Sequence, residues 1–349
     1  MTKFYSLPQL GWQAFFQQQL SLEEFEHFTI ARIVEQQRSL IHILTTDGRA
    51  SLPIMSSMPS MTVGDWILLD DKALFHRLLE RLSLFSRKAA GTKVATQLIA
   101  ANIDSVFIVS SLNQDFNLNR IERYLVMANE AGVEPVVVLT KLDHCTQAED
   151  YIQQVQRIDP MLAVVAVNSL DSESVSQLSD WCAPGKTVAL LGSSGVGKST
   201  LTNTLSGEAI QQTRGIREDD DKGRHTTTGR SLHLLPAGGL LLDTPGMREL
   251  QLAACEQGVE ETFKDIAELA SQCKFSDCQH QNEPGCAVQA EIKTGKLDER
   301  RLSSYLKLMK EQAFNSATLA EKRAKDRDLG RYYRSVMASK RKDGGKHSG

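Results

Sequence analysis

Nine consecutive residues, Gly192-Ser-Ser-Gly-Val-Gly-Lys-Ser-Thr200, match G-x-x-x-x-G-K-[ST] with Gly192, Gly197, Lys198 and Ser199 at its defined positions. This pattern is built for phosphate. Glycines let the backbone N–H groups of Ser193, Ser194, Gly195 and Val196 turn inward around an anion. The N-terminus of the following helix, which opens toward Thr200, adds positive dipole. Lys198 reaches the β- and γ-phosphates and Ser199 can ligate Mg²⁺. The motif requires a strand before it and a helix after it. Thr187–Leu191 reads as a buried strand and Ser199–Leu205 as the first turns of a helix.

Two further polar stretches follow apolar runs. Asp243 ends Gly239–Leu242, the position of a Mg²⁺-associated carboxylate, 45 residues after Lys198. Gly246, in Asp243-Thr-Pro-Gly246, offers an N–H to a γ-phosphate. Between these motifs lie the charged loop Arg217–Arg224 and the run His225-Thr-Thr-Thr228. One threonine there, with Thr227 taken as the candidate, can complete the Mg²⁺ shell in a triphosphate-dependent switch. Lys198, Asp243, Gly246 and His225 are the catalytic candidates, and Ser199, Thr227 and Asp243 the magnesium ones.

Thr140-Lys-Leu-Asp143 identifies the base. The Asp143 carboxylate can accept from both N1–H and the exocyclic amine of guanine, whereas adenine offers no such donor pair. Two charge-assisted bonds at about 1.5–3 kcal/mol each give a preference of roughly 10²- to 10⁴-fold. The Lys141 stem would lie along the base beside Thr140 and Leu142, and Asn168-Ser169 would supply backbone contacts near the guanine oxygen. In ordinary GTPases the base-reading motif comes late. Here Lys141 precedes Lys198 by 57 residues, the order of a circularly permuted chain.

The elements that must position these residues form an α/β sheet. Ser105–Ser110, the amphipathic helix Leu118–Ala131, and Pro135–Leu139 make a βαβ unit, and Leu162–Val167 adds another strand. Each polar motif sits at the C-terminal end of a strand, where open α/β sheets bind ligands. Upstream, Thr29–Val34, Ser39–Leu44, Ala50–Leu52, Trp66–Leu69 and Ala73–Leu78 are short β segments spaced by turns, pointing to an OB-type barrel. Residues 1 to about 25 form a helical or loose lead-in with one basic residue, Lys3. Ser86–Gly91 reads as a connector. The expected division is 1–90 lead-in and barrel, 91–253 permuted nucleotide domain, and 254–349 helical zinc-binding domain with a basic tail.

Composition agrees with a globular protein. The chain has 349 residues, 41% hydrophobic and 24% charged, with net charge −3, so nucleic-acid contact would use local patches. No apolar run reaches about 18 residues and no signal-peptide pattern opens the chain, so a cytoplasmic protein with no membrane partner is expected. Cys273-x₄-Cys278-x-His280-x₅-Cys286 places three thiolates and an imidazole within 14 residues. That is the complement of one closed tetrahedral Zn²⁺ site, structural because no position is open for water. Cys145, Cys182 and Cys255 are scattered, as packed or surface thiols. Helices Glu260–Ala270 and Asp298–Glu311 flank the cluster. From Lys322 to Lys346 the tail carries ten basic against three acidic residues, with Tyr332 and Tyr333 as stacking surface, a pattern suited to RNA.

Together these motifs resemble the RsgA (YjeQ/YloQ) family of circularly permuted GTPases over nearly the whole chain. The shared stretches include Ala100-Ala-Asn-Ile-Asp104, the Lys-x-Asp motif, the phosphate loop, Gly223-Arg-His-Thr-Thr-Thr228, Asp-Thr-Pro-Gly and the Cys/His cluster. The resemblance implies a GTP hydrolase, with Zn²⁺ and Mg²⁺, that acts late in assembly of the small (30S) ribosomal subunit. It would bind the subunit and its rRNA in the GTP state and leave on hydrolysis, as a monomer. Two departures bear on rate. Thr140 replaces the Asn of many GTPases, removing an amide that braces the phosphate loop. Met247 stands where a water-orienting Gln is common, which predicts slow intrinsic hydrolysis stimulated by a partner, with His225 as a replacement for water positioning. The competing classes are a P-loop ATPase or kinase, which Asp143 disfavours, and a nucleotide-gated RNA-binding protein with little turnover.

Overall fold

The computed structural model describes residues 4–88, 96–208, 230–243, 255–281 and 283–316. Helices α1 (Ala14–Gln17) and α2 (Leu22–His27) precede strands β1 (Thr29–Gln36), β2 (Leu40–Thr45), β3 (Gly48–Pro53), β4 (Trp66–Leu69) and β5 (Phe75–Leu78). All pairings are antiparallel, in the order β3-β2-β1-β4-β5. This is an OB-type barrel, open along its β3/β5 seam among the described residues. Alternating Ala31, Ile33, Ile41, Ile43 and Ile67 fill it. The lead-in closes one end, where the rings of Trp12 and Phe16 lie 4.9 and 5.8 Å from that of Trp66.

The expected connector at Ser86–Gly91 is corrected over its described part. β6 (Leu84–Lys88) pairs antiparallel with β7 (Thr96–Ala101). Phe85, Ile99 and Ala100 bury one face of this hairpin, and that apolar face outweighs the basic pair Arg87-Lys88 that suggested a linker. The expected domain boundary after residue 90 falls between its two strands.

The nucleotide-domain sheet is built from β8 (Ser105–Ser111), β9 (Glu134–Thr140), β10 (Ala163–Ala166), β11 (Thr187–Leu191), β12 (Arg230–Leu234) and β13 (Leu240–Asp243). Its order is β10-β9-β8-β11-β13, all parallel, followed by antiparallel β12, which pairs in turn with β1 of the barrel. Strand residues alternate between two cores. Ile108, Val137 and Leu139 meet α3 (Leu118–Glu130) and α4 (Ala148–Gln156). Phe107, Val109, Val136 and Val188 meet α5 (Ser172–Val175) and α6 (Lys198–Ser206). Burial on both faces explains the unbroken apolar runs. Asn117 caps α3 by accepting from the Arg120 N–H, and Gly132 at φ 69° follows its end.

The C-terminal part comprises α7 (Glu256–Thr262), α8 (Lys264–Ala270), α9 (Ala287–Lys293) and α10 (Glu299–Ser316). The single helix expected at Glu260–Ala270 is split at Phe263. That ring is fully buried and carries the Arg301 guanidinium 4.9 Å from its centre. Among the described residues no helix is long and apolar enough to cross a membrane.

Candidate functional site

Gly192 leaves the end of β11 and the loop Ser193–Gly197 leads into α6 at Lys198, with Ser199 and Thr200 in its first turn. Two glycines are required by geometry. A Cβ on Gly192 would lie 2.4 Å from the Val109 carbonyl oxygen, so only glycine lets the loop lie on β8. Gly197 sits at φ 95° against Thr140. Lys198 is buried, and its ammonium donates to the Gly192 carbonyl at 2.7 Å and to that of Ser193. The cation is thereby held over the cradle's own backbone.

Thr140 ends β9 beside this loop. Its hydroxyl donates to the Val196 carbonyl at 2.5 Å and lies 3.3 Å from the Ser110 carbonyl. The brace expected to be lost with Asn is therefore kept by a hydroxyl. Lys141 adopts the left-handed region at φ 61°, and the Leu142 N–H reaches the Val167 carbonyl at 3.3 Å. This turn presents Asp143 at the sheet's C-terminal edge, with His144 Nε2 3.2 Å from its carboxylate. Asn168 follows β10; its side chain accepts from the Leu170 N–H at 3.0 Å and its own N–H donates to Ser174 at 2.9 Å. The buried Ser169 hydroxyl has no hydrogen-bond partner, while its carbonyl accepts from the Thr204 hydroxyl of α6 at 2.6 Å. Thr140 and Thr204 thus tie the Lys141–Asp143 and Asn168–Ser169 turns to the loop and to its helix.

Asp243 is the last residue of β13, two strand positions from β8 in a sheet where β11 lies between. It is half-buried and faces Ser231 across β12. Gly246, Met247, Arg217–Arg224, His225, Thr226–Thr228 including Thr227, and the basic tail Lys322–Lys346 lie outside the described residues. The sequence reading missed β12. Its Ser231 and His233 alternate with Leu232 and Leu234, the period-2 signal of a half-buried strand. His233 Nε2 lies 2.7 Å from the Ser231 hydroxyl, and burial depresses that imidazole's pKa.

The second cluster is separate. The ligand atoms of Cys273, Cys278, His280 and Cys286 lie within 4.8 Å of one another. Cys273 Sγ is 3.9 Å from Cys286 Sγ, and each lies 3.6 Å from His280 Nδ1. A tetrahedral ion with metal–sulfur bonds of about 2.3 Å needs sulfur–sulfur edges of about 3.8 Å, so the donor set fits a metal. Glu283 orders the loop by accepting from the N–H groups of Gln279 and Gln281 at 2.9 and 2.8 Å. Gln289 on α9 donates to the His280 carbonyl at 2.7 Å, supporting a ligand held at φ 57°. Cys145, Cys182 and Cys255 take no part in this group. The Cys182 thiol is pushed up to about 12 by burial.

Comparison with known proteins decides the family. The family model for RsgA GTPase matches residues 78–253. A Vibrio parahaemolyticus protein named small ribosomal subunit biogenesis GTPase RsgA 2 is 59% identical over 336 residues, covering 96% of this chain and 94% of its own. The chain belongs to the RsgA GTPase family. A more distant member from Mesorhizobium japonicum, named small ribosomal subunit biogenesis GTPase RsgA, is 45% identical over 93% of this chain and 95% of its own. The fold is that of the solved members. The Thermotoga maritima YjeQ crystal structure superposes with a TM-score of 0.61 at 24% identity, covering 81% of this chain and 98% of that one. YloQ, described as a circularly permuted GTPase, gives 0.60 at 24% identity over 85% and 99%. The permuted motif order in the sequence is thus the order of an RsgA fold, with the Thr140–Asp143 turn and the Gly192–Thr200 loop brought together at one sheet edge.

Proposed function

We propose that this RsgA GTPase hydrolyses GTP as a late assembly factor of the small ribosomal subunit, docking in the GTP state and leaving on hydrolysis. The observation that carries the nucleotide assignment is the convergence of Gly192–Thr200, Thr140–Asp143 and Asn168–Ser169, joined by the Thr140 and Thr204 hydroxyls. Asp143 reads guanine, the loop N–H groups and Lys198 hold the phosphates, and Ser199 and Asp243 hold Mg²⁺ with Thr227. Magnesium held by those residues would supply charge neutralisation on the phosphates. The Cys273/Cys278/His280/Cys286 metal is Zn²⁺ in a structural role, since three thiolates and one imidazole suit that ion and close its tetrahedron. Residues 91–253 act as the timer, and the barrel, the metal unit and the basic tail grip rRNA. The chain works as a cytoplasmic monomer. Met247 in place of a water-orienting Gln leaves intrinsic turnover slow, with subunit docking as the stimulus.

Nucleotide competition and co-sedimentation test this together. GTP and GDP should displace a bound fluorescent guanine nucleotide where ATP at equal concentration does not. Asp143→Asn should shift preference toward xanthosine nucleotides, because the carboxylate–amide pairing reverses. Small subunits should retain the protein with a non-hydrolysable GTP analogue more than with GDP, and should raise the hydrolysis rate. Equal displacement by ATP, or equal rates with and without subunits, would defeat the corresponding part.

A further inference from the structure

Strand β12 joins two halves of one large sheet. On one side Ser231 is the cross-strand partner of Asp243 in β13; on the other it is the partner of Glu35 in β1, beside the pair Gln36 and Arg230. The row continues into the barrel, from Glu35 to His42 on β2 and from His42 to Ser51 on β3. Directly opposed residues of antiparallel strands project to the same face. Asp243, Ser231, Glu35, His42 and Ser51 therefore form one row across five strands. Every member is polar, whereas the adjoining positions Leu242, Leu232 and Val34 are buried and apolar.

Members of the row are braced within the barrel and within β12. His42 Nδ1 lies 2.8 Å from the Ser51 hydroxyl, and the Glu35 carboxylate accepts from Arg49 at 2.6 Å. The Ser231 hydroxyl is paired with His233. In β1 the register shifts between Ile33 and Glu35, a bulge at the point where the strand leaves the barrel for β12. Arg230, which opens β12, donates to the Leu98 carbonyl of β7, and Gln36 donates to the Met61 carbonyl. The start of β12 is thus fixed by barrel and hairpin together.

We propose that Ser231 and Glu35 are positioning residues for Asp243, so that the seating of the barrel sets the geometry of the magnesium carboxylate. β13 has four residues and ends at Asp243, with β11 on one side and β12 on the other. Without β1, strand β12 would be a free edge of five residues, able to twist and slide. Pairing with Glu35 and Gln36 removes that freedom one strand away from the carboxylate. The coupling is reciprocal, as any equilibrium linkage must be: nucleotide and Mg²⁺ that order Asp243 also order β1. The inference rests on the reading of Asp243 as the magnesium carboxylate.

Mg²⁺ titration and hydrogen exchange test it on the full chain. In Ser231→Ala and Glu35→Ala the Mg²⁺ concentration for half-maximal GTP hydrolysis should rise about 3- to 10-fold, the span expected of a modest coupling energy. Ser231→Thr and Glu35→Gln, which keep a hydroxyl and a hydrogen-bonding amide, should restore it. The double alanine variant should show less than the product of the single effects. Without any turnover readout, adding GDP and Mg²⁺ to the wild type should slow exchange at the Glu35 and Gln36 amides as well as in β13. Unchanged Mg²⁺ dependence in both alanine variants, or protection confined to β13, would overturn the proposal. A wild type with no Mg²⁺ dependence would instead defeat the reading of Asp243.

Discussion

The nucleotide domain is attached to its two neighbours by unlike chemistry. The barrel joins mainly through strand pairing, with β1 against β12 over Glu35 and Gln36, and the buried Arg32 guanidinium of β1 adds bonds to the carbonyls of Leu10, Gly64 and Asn102. The C-terminal helices join through charge. Glu122 of α3, fully buried, accepts from Arg300 at 2.9 Å and from Arg301 at 3.1 Å, while Arg301 also binds Asp265 and the Thr262 carbonyl. α7 crosses α3 so closely that a Cβ on Gly258 would meet the Val126 carbonyl oxygen at 2.1 Å. Buried ion networks permit one geometry, because any shift leaves a charge unpaired in a low dielectric. Among the described residues the β1/β12 seam pairs two residues of each strand, so fewer bonds hold the barrel's seating there. The Cys/His unit is therefore a fixed extension of α3, and the barrel is the less firmly held neighbour.

Removing a metal bound at the Cys/His cluster should have the largest effect, and it asks whether the ion network alone holds the C-terminal unit. Chelation is expected to release the Cys273–Cys286 loop and the start of α9, which Cys286 caps by accepting from the Gln289 N–H. Hydrogen exchange should accelerate there while α3 and β11 keep their protection. Loss of protection in α3 as well would mean that the two attachments are one cooperative unit. Glu122→Ala comes next. It removes the buried carboxylate that two arginines share, although Arg301 keeps Asp265 and the Thr262 carbonyl and Arg300 keeps Asn119 and Asp298, and should cost about 3 kcal/mol in chemical denaturation. Arg123→Ala, at the half-exposed pair with Glu311, should cost under about 1 kcal/mol. Similar losses at both positions would remove the argument for a buried, geometry-defining knot.

Much of the fold is legible in the sequence itself. The Gly192–Thr200 loop, the Thr140–Asp143 turn, the five short barrel strands and the Cys/His cluster each depend on local spacing, and local spacing is what a sequence displays. What was hidden depends on partners distant in the chain. Arg87 and Lys88 look like a linker until Phe85 finds Ile99 and Ala100 across the hairpin. Glu122 sits on α3 as an ordinary helix carboxylate, and only the approach of Arg300 and Arg301 makes it a buried anchor. β12 is hard to read in sequence because five alternating residues after a polar stretch are a weak signal, and its importance comes from having β1 and β13 on its two sides. Thr140 was misjudged in the other direction: the side chain lost relative to Asn was visible, but the carbonyl its hydroxyl reaches was not.

On the barrel side, Arg32→Met tests whether attachment there is weaker. The thioether keeps packing over Trp66 but takes the Arg32 donor from the Leu10 and Asn102 carbonyls, while the Gly64 carbonyl still accepts from Asn102 Nδ2; removal of a buried cation partly offsets the loss. The net loss should be about 2 kcal/mol, smaller than at Glu122, with protease cutting appearing between Leu10 and Gln13. Equal or larger destabilisation than Glu122→Ala would reverse the ranking of the two junctions.

The smallest effect is expected at the outer end of the lead-in. Glu24 of α2 accepts from Arg77 of β5 and from the Ser21 N–H, and the Arg77 hydrogen bond does most to lower its carboxyl from 4.5 to about 2. A depressed folded-state value means that the ionised form favours the folded contact. The stabilisation is present above 4.5 and fades as pH falls toward 2. The pair is solvent-accessible, so screening limits its worth to well under about 1 kcal/mol. Exchange at the α2 amides should therefore quicken across that window, and 0.5 M salt should blunt the change. Glu24→Gln should abolish the pH step while leaving the Glu122 network untouched. A step that survives in Glu24→Gln would assign the acid sensitivity of the barrel side to another carboxylate. The buried Asp65, whose pKa burial raises despite its pair with Arg81, is the next group to change.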